Sequence, residues 1–152
     1  MTRDDESDHE PMKPFLFDQP LLPSGFHFPA SYLALVTPQT LPDVQPWEFL
    51  AGNMAASLSY YGFALERFAE AALIPFAMIR DKTGLDNDGY VTLAFFYGGS
   101  LTDEPRVHIY DFARPKLSPW DNLSYESFDA WLEAAKEESA EYKAMRAEAD
   151  GP

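Results

Sequence analysis

Twenty-five carboxylates, three histidines and not one cysteine bound the chemistry that this chain of 152 residues can attempt. Without cysteine there are no disulfides, thiolate metal sites or sulfur nucleophiles. That absence also fits a reducing compartment. His9 lies in an acidic leader, and His27 stands between Phe26 and Phe28. His108 falls in an alternating run that sets it with Tyr110 and Phe112, opposite Val107 and Ile109. No His-x-x-x-His pair or other zinc spacing occurs, so a lone imidazole on a strand reads as packing rather than as a general base. The motif Asp86-Asn87-Asp88-Gly89 echoes half of a calcium loop. With its glycine at the sixth loop position, however, Gly84 and Phe95 stand where oxygen ligands belong, so it reads as a turn. Gly98-Gly99-Ser100 follows a strand but lacks the Gly-x-Ser-x-Gly of a nucleophile elbow. No glycine-rich phosphate loop is present. Carboxylate pairs arise by chance in so acidic a chain, and two-carboxylate catalysis depends on a separation in space. The residues therefore point to a non-enzymatic protein with no metal and no cofactor.

These side chains are placed by local structure. Residues 1–13 are charged and nearly free of large apolar groups, which predicts a disordered acidic arm. Residues 14–30 carry Pro14, Pro20, Pro23 and Pro29 among seven large apolar residues, an extended lead-in that should lie along the domain. Pro29 suits the start of a short helix ending at Val36, with Tyr32, Leu33 and Val36 on one face. Pro38, Pro42 and Pro46 then bar long regular structure until Trp47. Over 53–73, Leu58, Tyr61, Leu65, Phe68 and Ala72 recur at steps of three and four, predicting a helix with that stripe inward; Gly62 weakens it. The short apolar run 74–79 leads into a loop over 81–89. Residues 90–97 and 106–112, rich in β-branched and aromatic side chains, read as strands. A final helix starts at Ser124 or Ser127 and runs to Arg146, burying Phe128, Trp131, Leu132 and Ala135. Glu126 and Asp129 suit its positive N-terminus. Beyond Ala135 it is so charged that its last turns are expected in solvent. The division is a disordered arm over 1–13, one domain over 14–135, and a charged helix end and tail over 136–152.

The net charge is −14, of which −4 lies in residues 1–10, −4 in residues 129–150 and −6 between them. The folded body is therefore acidic as well as the ends. Such a field repels phosphate backbones and anionic lipid, so neither nucleic acid nor membrane is an expected partner. It favours approach of a basic protein. The first ten residues lack the basic start and apolar run of a secretory signal, and no apolar stretch approaches the roughly 20 residues of a membrane helix. The expected location is cytoplasmic.

Five motifs in order carry a resemblance: Phe28-Pro29-x-x-Tyr32, then Leu73-Ile-Pro-Phe-Ala77, an Asp88-Gly89 turn into the strand 90–97, Pro105-x-Val-x-Ile-Tyr-Asp111, and Ser127-Phe-x-x-Trp-Leu132. Over about residues 26–135 the chain resembles the SUKH superfamily, the Smi/Knr-type domain of fungal cell-wall regulators and many bacterial immunity proteins. It departs from that pattern at Thr37-Pro38-Gln39, where family members often have an Asn-Gly or Gly-Gly turn. The resemblance implies a single α+β domain, with a multi-stranded, mainly antiparallel sheet packed by helices. It implies an immunity protein that neutralises a bacterial toxin, often a nuclease, by stoichiometric binding. The alternative is a regulatory or scaffold protein of the same fold with an endogenous protein partner. Monomer and homodimer both remain open.

A binding protein needs an anchor surface, and interface anchors are commonly Tyr and Trp with charges around them for steering. Tyr97, His108, Tyr110 and Asp111 on the strands, with Asp81, Asp86 and Asp88 in the loop ahead of them, mix aromatics with carboxylates near the strand ends on an exposed sheet surface. Trp120, in Pro119-Trp120-Asp121, serves either as a surface anchor or as a lid over the core. These eight are the expected partner-binding residues.

Overall fold

The computed structural model describes residues 22, 25–38, 41–68, 72–85, 87–99 and 102–150. The expected arm over 1–13, the lead-in as far as Leu21, and Asp86 lie outside the described residues.

Pro29, with φ −57° and ψ 143°, directs the chain into α1 (Ala30–Val36), which buries Tyr32 and Val36. After the proline-rich stretch comes a short strand, β1 (Trp47–Phe49), and one 3-10 turn over Leu50–Gly52. The Asn53 side chain then accepts a hydrogen bond from the Ala56 amide at 3.0 Å, the N-cap of α2 (Met54–Arg67). Three strands follow: β2 (Leu73–Ile79), β3 (Thr92–Tyr97) and β4 (Val107–Asp111). A two-residue strand, β5 (Ser124–Tyr125), precedes α3 (Phe128–Ala149). Ser127 caps α3 by accepting from the Ala130 amide at 3.2 Å, and Asp129 sits in its first turn against the positive end of the helix.

The strands form one five-stranded sheet in the order β1-β2-β3-β4-β5, each neighbouring pair antiparallel. The protein is a single α+β domain. Side chains alternate across the sheet, so β2, β3 and β4 each feed two cores. One face carries Trp47, Ile74, Phe76, Phe96, Val107 and Ile109, covered by α1 and by Phe128 and Trp131 of α3. The other carries Leu73, Met78, Leu93, Phe95 and Tyr110, covered by Tyr60 and Ala64 of α2. The alternation breaks once in β2. The register shifts between Pro75 and Ala77, so Phe76 is the extra residue of a bulge, and both Phe76 and Ala77 enter the first core. Proline supplies no amide to the ladder, which explains why the irregularity begins at Pro75.

Three expectations need correction. The second helix stops at Arg67, and residues 73–79 are a strand buried at every position. Its inward stripe is Ser57, Tyr60, Tyr61 and Ala64, while Leu58 and Leu65 face out. Two interleaved apolar stripes share the same three-and-four spacing, and spacing alone does not choose between them. The final helix does not leave the body after Ala135. Ser139 and Tyr142 continue its buried face for two more turns. Strand β5 also takes up Ser124, leaving Ser127 as the helix start.

Ser139 buries its hydroxyl with no hydrogen-bond partner. Removing an unsatisfied buried hydroxyl while raising helix propensity should help, so Ser139→Ala is expected to stabilise the fold by about 1 kcal/mol. A higher urea midpoint at unchanged m-value is the expected reading; a lower midpoint would show that the hydroxyl is satisfied in solution.

Candidate functional site

The sheet places the expected binding residues at opposite ends. Thr92 of β3 pairs with Ile79 and Asp111 at one end, and Tyr97 pairs with Leu73 at the other.

At the first end the carboxylates turn inward. Asp81 is buried: its carboxylate accepts from the Thr83 amide at 3.0 Å, the Thr83 hydroxyl at 2.7 Å and the Tyr142 hydroxyl at 2.8 Å. It closes the turn after β2 and ties that turn to α3. Asp111 is half-buried and accepts from the Asn87 side-chain amide at 2.7 Å and from the Ala113 amide at 2.8 Å. The sequence places both among the partner-facing residues, whereas in the structure both carboxylates are committed to loop architecture. Asp88 is exposed, on a left-handed backbone with φ 54°. Among the described residues no group of three or more histidine, aspartate and glutamate side chains is placed to hold a metal ion.

Tyr110 is likewise not on an exposed surface. Helix α2 covers that part of the sheet, and Tyr110 packs against Phe63 and Phe68 at ring separations of 5.7 and 5.4 Å. Its hydroxyl donates to the Pro115 carbonyl at 3.3 Å, and the Arg67 guanidinium lies 5.9 Å from its ring centroid.

At the other end the sheet face is closed by the connection after β4, and here three of the expected residues meet. Trp120 packs edge-to-face on His108 at 4.5 Å and on Tyr97 at 5.3 Å. It is both lid and surface: the rings beneath hold it in place, yet 48% of it remains exposed. Leu123, three residues on, is 61% exposed, and its carbonyl accepts from the Ile109 amide at 3.2 Å, fixing the connection to β4. The Gly98-Gly99 turn also contributes. A Cβ at position 99 would run into the Tyr97 ring and its hydroxyl, so only glycine lets that ring fold back beside the turn. Leu123 and Gly99 were not singled out from the sequence. The Pro-Trp-Asp-Asn-Leu connection was the available signal, since a loop bearing two large apolar residues needs a reason.

His108 is buried, and its Nδ1–H donates to the Pro119 carbonyl at 3.3 Å, which leaves Nε2 as an acceptor. Burial holds its pKa below the usual 6.5; the Pro119 bond opposes this, and nearby Arg106 adds to it. The sign for stability follows. Above pH 6.5 His108 is neutral in both states, and the stability is complete. As pH falls through 6.5 the unfolded chain takes up the proton first, and stability is lost until the depressed folded value is passed. Replacing His108 by Gln is expected to flatten the fall of the urea midpoint just below pH 6.5. An unchanged slope would contradict the assignment.

A groove of about 310 Å³ lies beside the sheet edge, lined by Leu41, Asp43, Trp47, Glu48 and Phe49 among others. Lys143 of α3 reaches Asp43 at 3.1 Å, and the Trp47 indole N–H donates to Glu138 at 2.9 Å. These contacts fasten the groove to α3. No helix among the described residues is long and apolar enough to cross a membrane. No family model, curated protein or solved structure matches the chain.

Proposed function

We propose that this chain is a non-enzymatic, cytoplasmic protein-binding module of the SUKH (Smi/Knr) type, acting as an immunity protein that neutralises a basic bacterial toxin domain by stoichiometric contact. The observation that carries this reading is Trp120, half exposed on a platform of Tyr97 and His108, with exposed Leu123 three residues on in the same connection. An exposed tryptophan whose orientation is already fixed by packing loses little freedom on binding, which is the property of an interface hot spot. The motif order described above supports the family, and the net charge of −14 supports a basic partner. In the chain, Arg114 and Lys116 precede Trp120 and Asp121 follows it, so the local sequence is not rich in carboxylates. Attraction to a basic partner comes from the wider surface, and the anchor supplies apolar contact.

Co-expression with the toxin encoded by the neighbouring gene tests the proposal. Restored growth and a stable complex of the two chains are expected. A neighbour that is not toxic, or a toxin that neither binds nor is silenced, would overturn it. A growth defect on deletion in unstressed pure culture, with no toxin present, would instead favour a regulatory or scaffold role.

A further inference from the structure

The connection that follows β4 is fastened to one face of that strand at two points. The Pro115 carbonyl accepts from the Tyr110 hydroxyl at 3.3 Å, and the Pro119 carbonyl accepts from the His108 ring at 3.3 Å. Arg67, in the last turn of α2, reaches the same Pro115 carbonyl at 2.9 Å. Its guanidinium also lies 5.6 Å from the Phe68 ring centroid and 5.9 Å from that of Tyr110, so it is held in position. Pro115 stands between Arg114 and Lys116, and these residues with Leu117 line a shallow hollow. Arg67, Arg114 and Lys116 are therefore gathered at one corner of a chain of charge −14.

All three side chains are exposed. Among the described residues, carboxylates reach His27, Lys136 and Lys143, and none reaches these three. Arg67 meets a carbonyl and two ring faces, which leave its charge uncompensated. Like charges fixed side by side repel, and an anion set among them relieves that repulsion.

We propose that this corner binds the chain's own acidic N-terminal segment, the carboxylates of Asp4, Asp5, Glu6, Asp8 and Glu10 lying against Arg67, Arg114 and Lys116. Charge selects this occupant. Five carboxylates within residues 4–10 make the densest acidic run in the sequence. Glu70, the nearest acid in sequence to Arg67 outside the described residues, brings one charge against three. The carboxylates of α3 belong to a helix that packs on the opposite face of the sheet. Reach allows the contact. Leu22 is buried in the first core, and residues 10–21 span up to about 40 Å at 3.3 Å per residue, about the width of a domain of this size. The tether raises the effective concentration of the segment into the millimolar range, so individually weak exposed pairs suffice. The contact lies within one chain and is independent of the reading of Trp120.

A nitroxide on the N-terminal segment of the full chain tests this. The protein has no cysteine, so Ser7→Cys gives a single labelling site. At 0.01 M salt, where the Debye length is about 30 Å, the nuclear magnetic resonance amide signals of Arg67, Arg114, Lys116 and Leu117 are expected to lose most of their intensity. They should recover at 1 M salt, where that length is about 3 Å, and in the double variant Arg114→Glu, Lys116→Glu. Both sites are exposed, so far-UV circular dichroism should be unchanged. If the charge reversal disturbs folding, the uncharged pair Arg114→Gln, Lys116→Gln should give the same recovery. Signals at this corner that match the rest of the surface at low salt overturn the proposal. So does broadening that survives loss of the two charges. Equal broadening in a mixture of labelled chain with unlabelled, isotope-enriched chain overturns it too, since the contact then lies between copies.

Discussion

Trp120→Ala is expected to weaken partner binding by roughly 2 kcal/mol or more, at least about 30-fold, while the fold loses about 1–3 kcal/mol of ring contact and still forms. Both effects follow from its position. Half of the residue already lies in water, and what it loses within the chain is edge-to-face contact with His108 and Tyr97, worth about 0.5–1.5 kcal/mol each. In a complex the exposed half is desolvated against the partner, and truncation forfeits that burial entirely. Titration calorimetry with the toxin domain proposed as partner gives the first number and urea unfolding the second. Leu123→Ala should show the same pattern at smaller size. Asp111→Asn should leave affinity unchanged, because that carboxylate is held by Asn87 and Ala113 at the far end of the sheet. If Trp120→Ala binds like the wild type while Asp111→Asn does not, the interface lies at the opposite end.

The largest expected loss of stability is at Trp131. It is almost wholly buried and packs against Trp47, Phe49, Phe76 and Phe128 at ring separations of 5.3, 5.9, 4.9 and 5.7 Å. These rings come from β1, β2 and α3, so Trp131 is where the last helix closes on the sheet edge. Trp131→Ala leaves a cavity bounded by rigid rings that cannot collapse into it, and about 3–5 kcal/mol is expected to be lost. Against a total of about 5–15 kcal/mol, that brings the chain close to unfolding. The check is the shift of the urea midpoint. A loss below about 1 kcal/mol would mean that α3 is not seated on the sheet as described. Trp131→Phe, which keeps much of the volume, should recover a large part of the difference.

Much of the fold was legible because period and composition reported it directly. Alternation and β-branched content marked β3 and β4, and the Ser127 cap with Phe128 and Trp131 marked the start of α3. What escaped was any choice between equivalent patterns. Leu58 and Leu65 share the spacing of Tyr61, and only packing against Leu93, Phe95 and Tyr110 decided which stripe of α2 went inward. The charged end of α3 looked solvated because no local rule shows that Tyr142 finds Asp81, 61 residues away.

The sequence by itself determined an acidic chain without cysteine or a metal-ligand spacing, and an α+β pattern of strands and helices. Those properties belong to residue types and short-range order. The tertiary structure decided which carboxylates and aromatics stand open to solvent. Exposure and hydrogen bonding depend on what is brought alongside from distant parts of the chain. Asp81 and Asp111 are consumed by hydrogen bonds across turns, Tyr110 is covered by α2, and Trp120 is both held from beneath and open to solvent. Its outward face was settled by a platform of two strands, which no spacing within the Pro-Trp-Asp connection could specify.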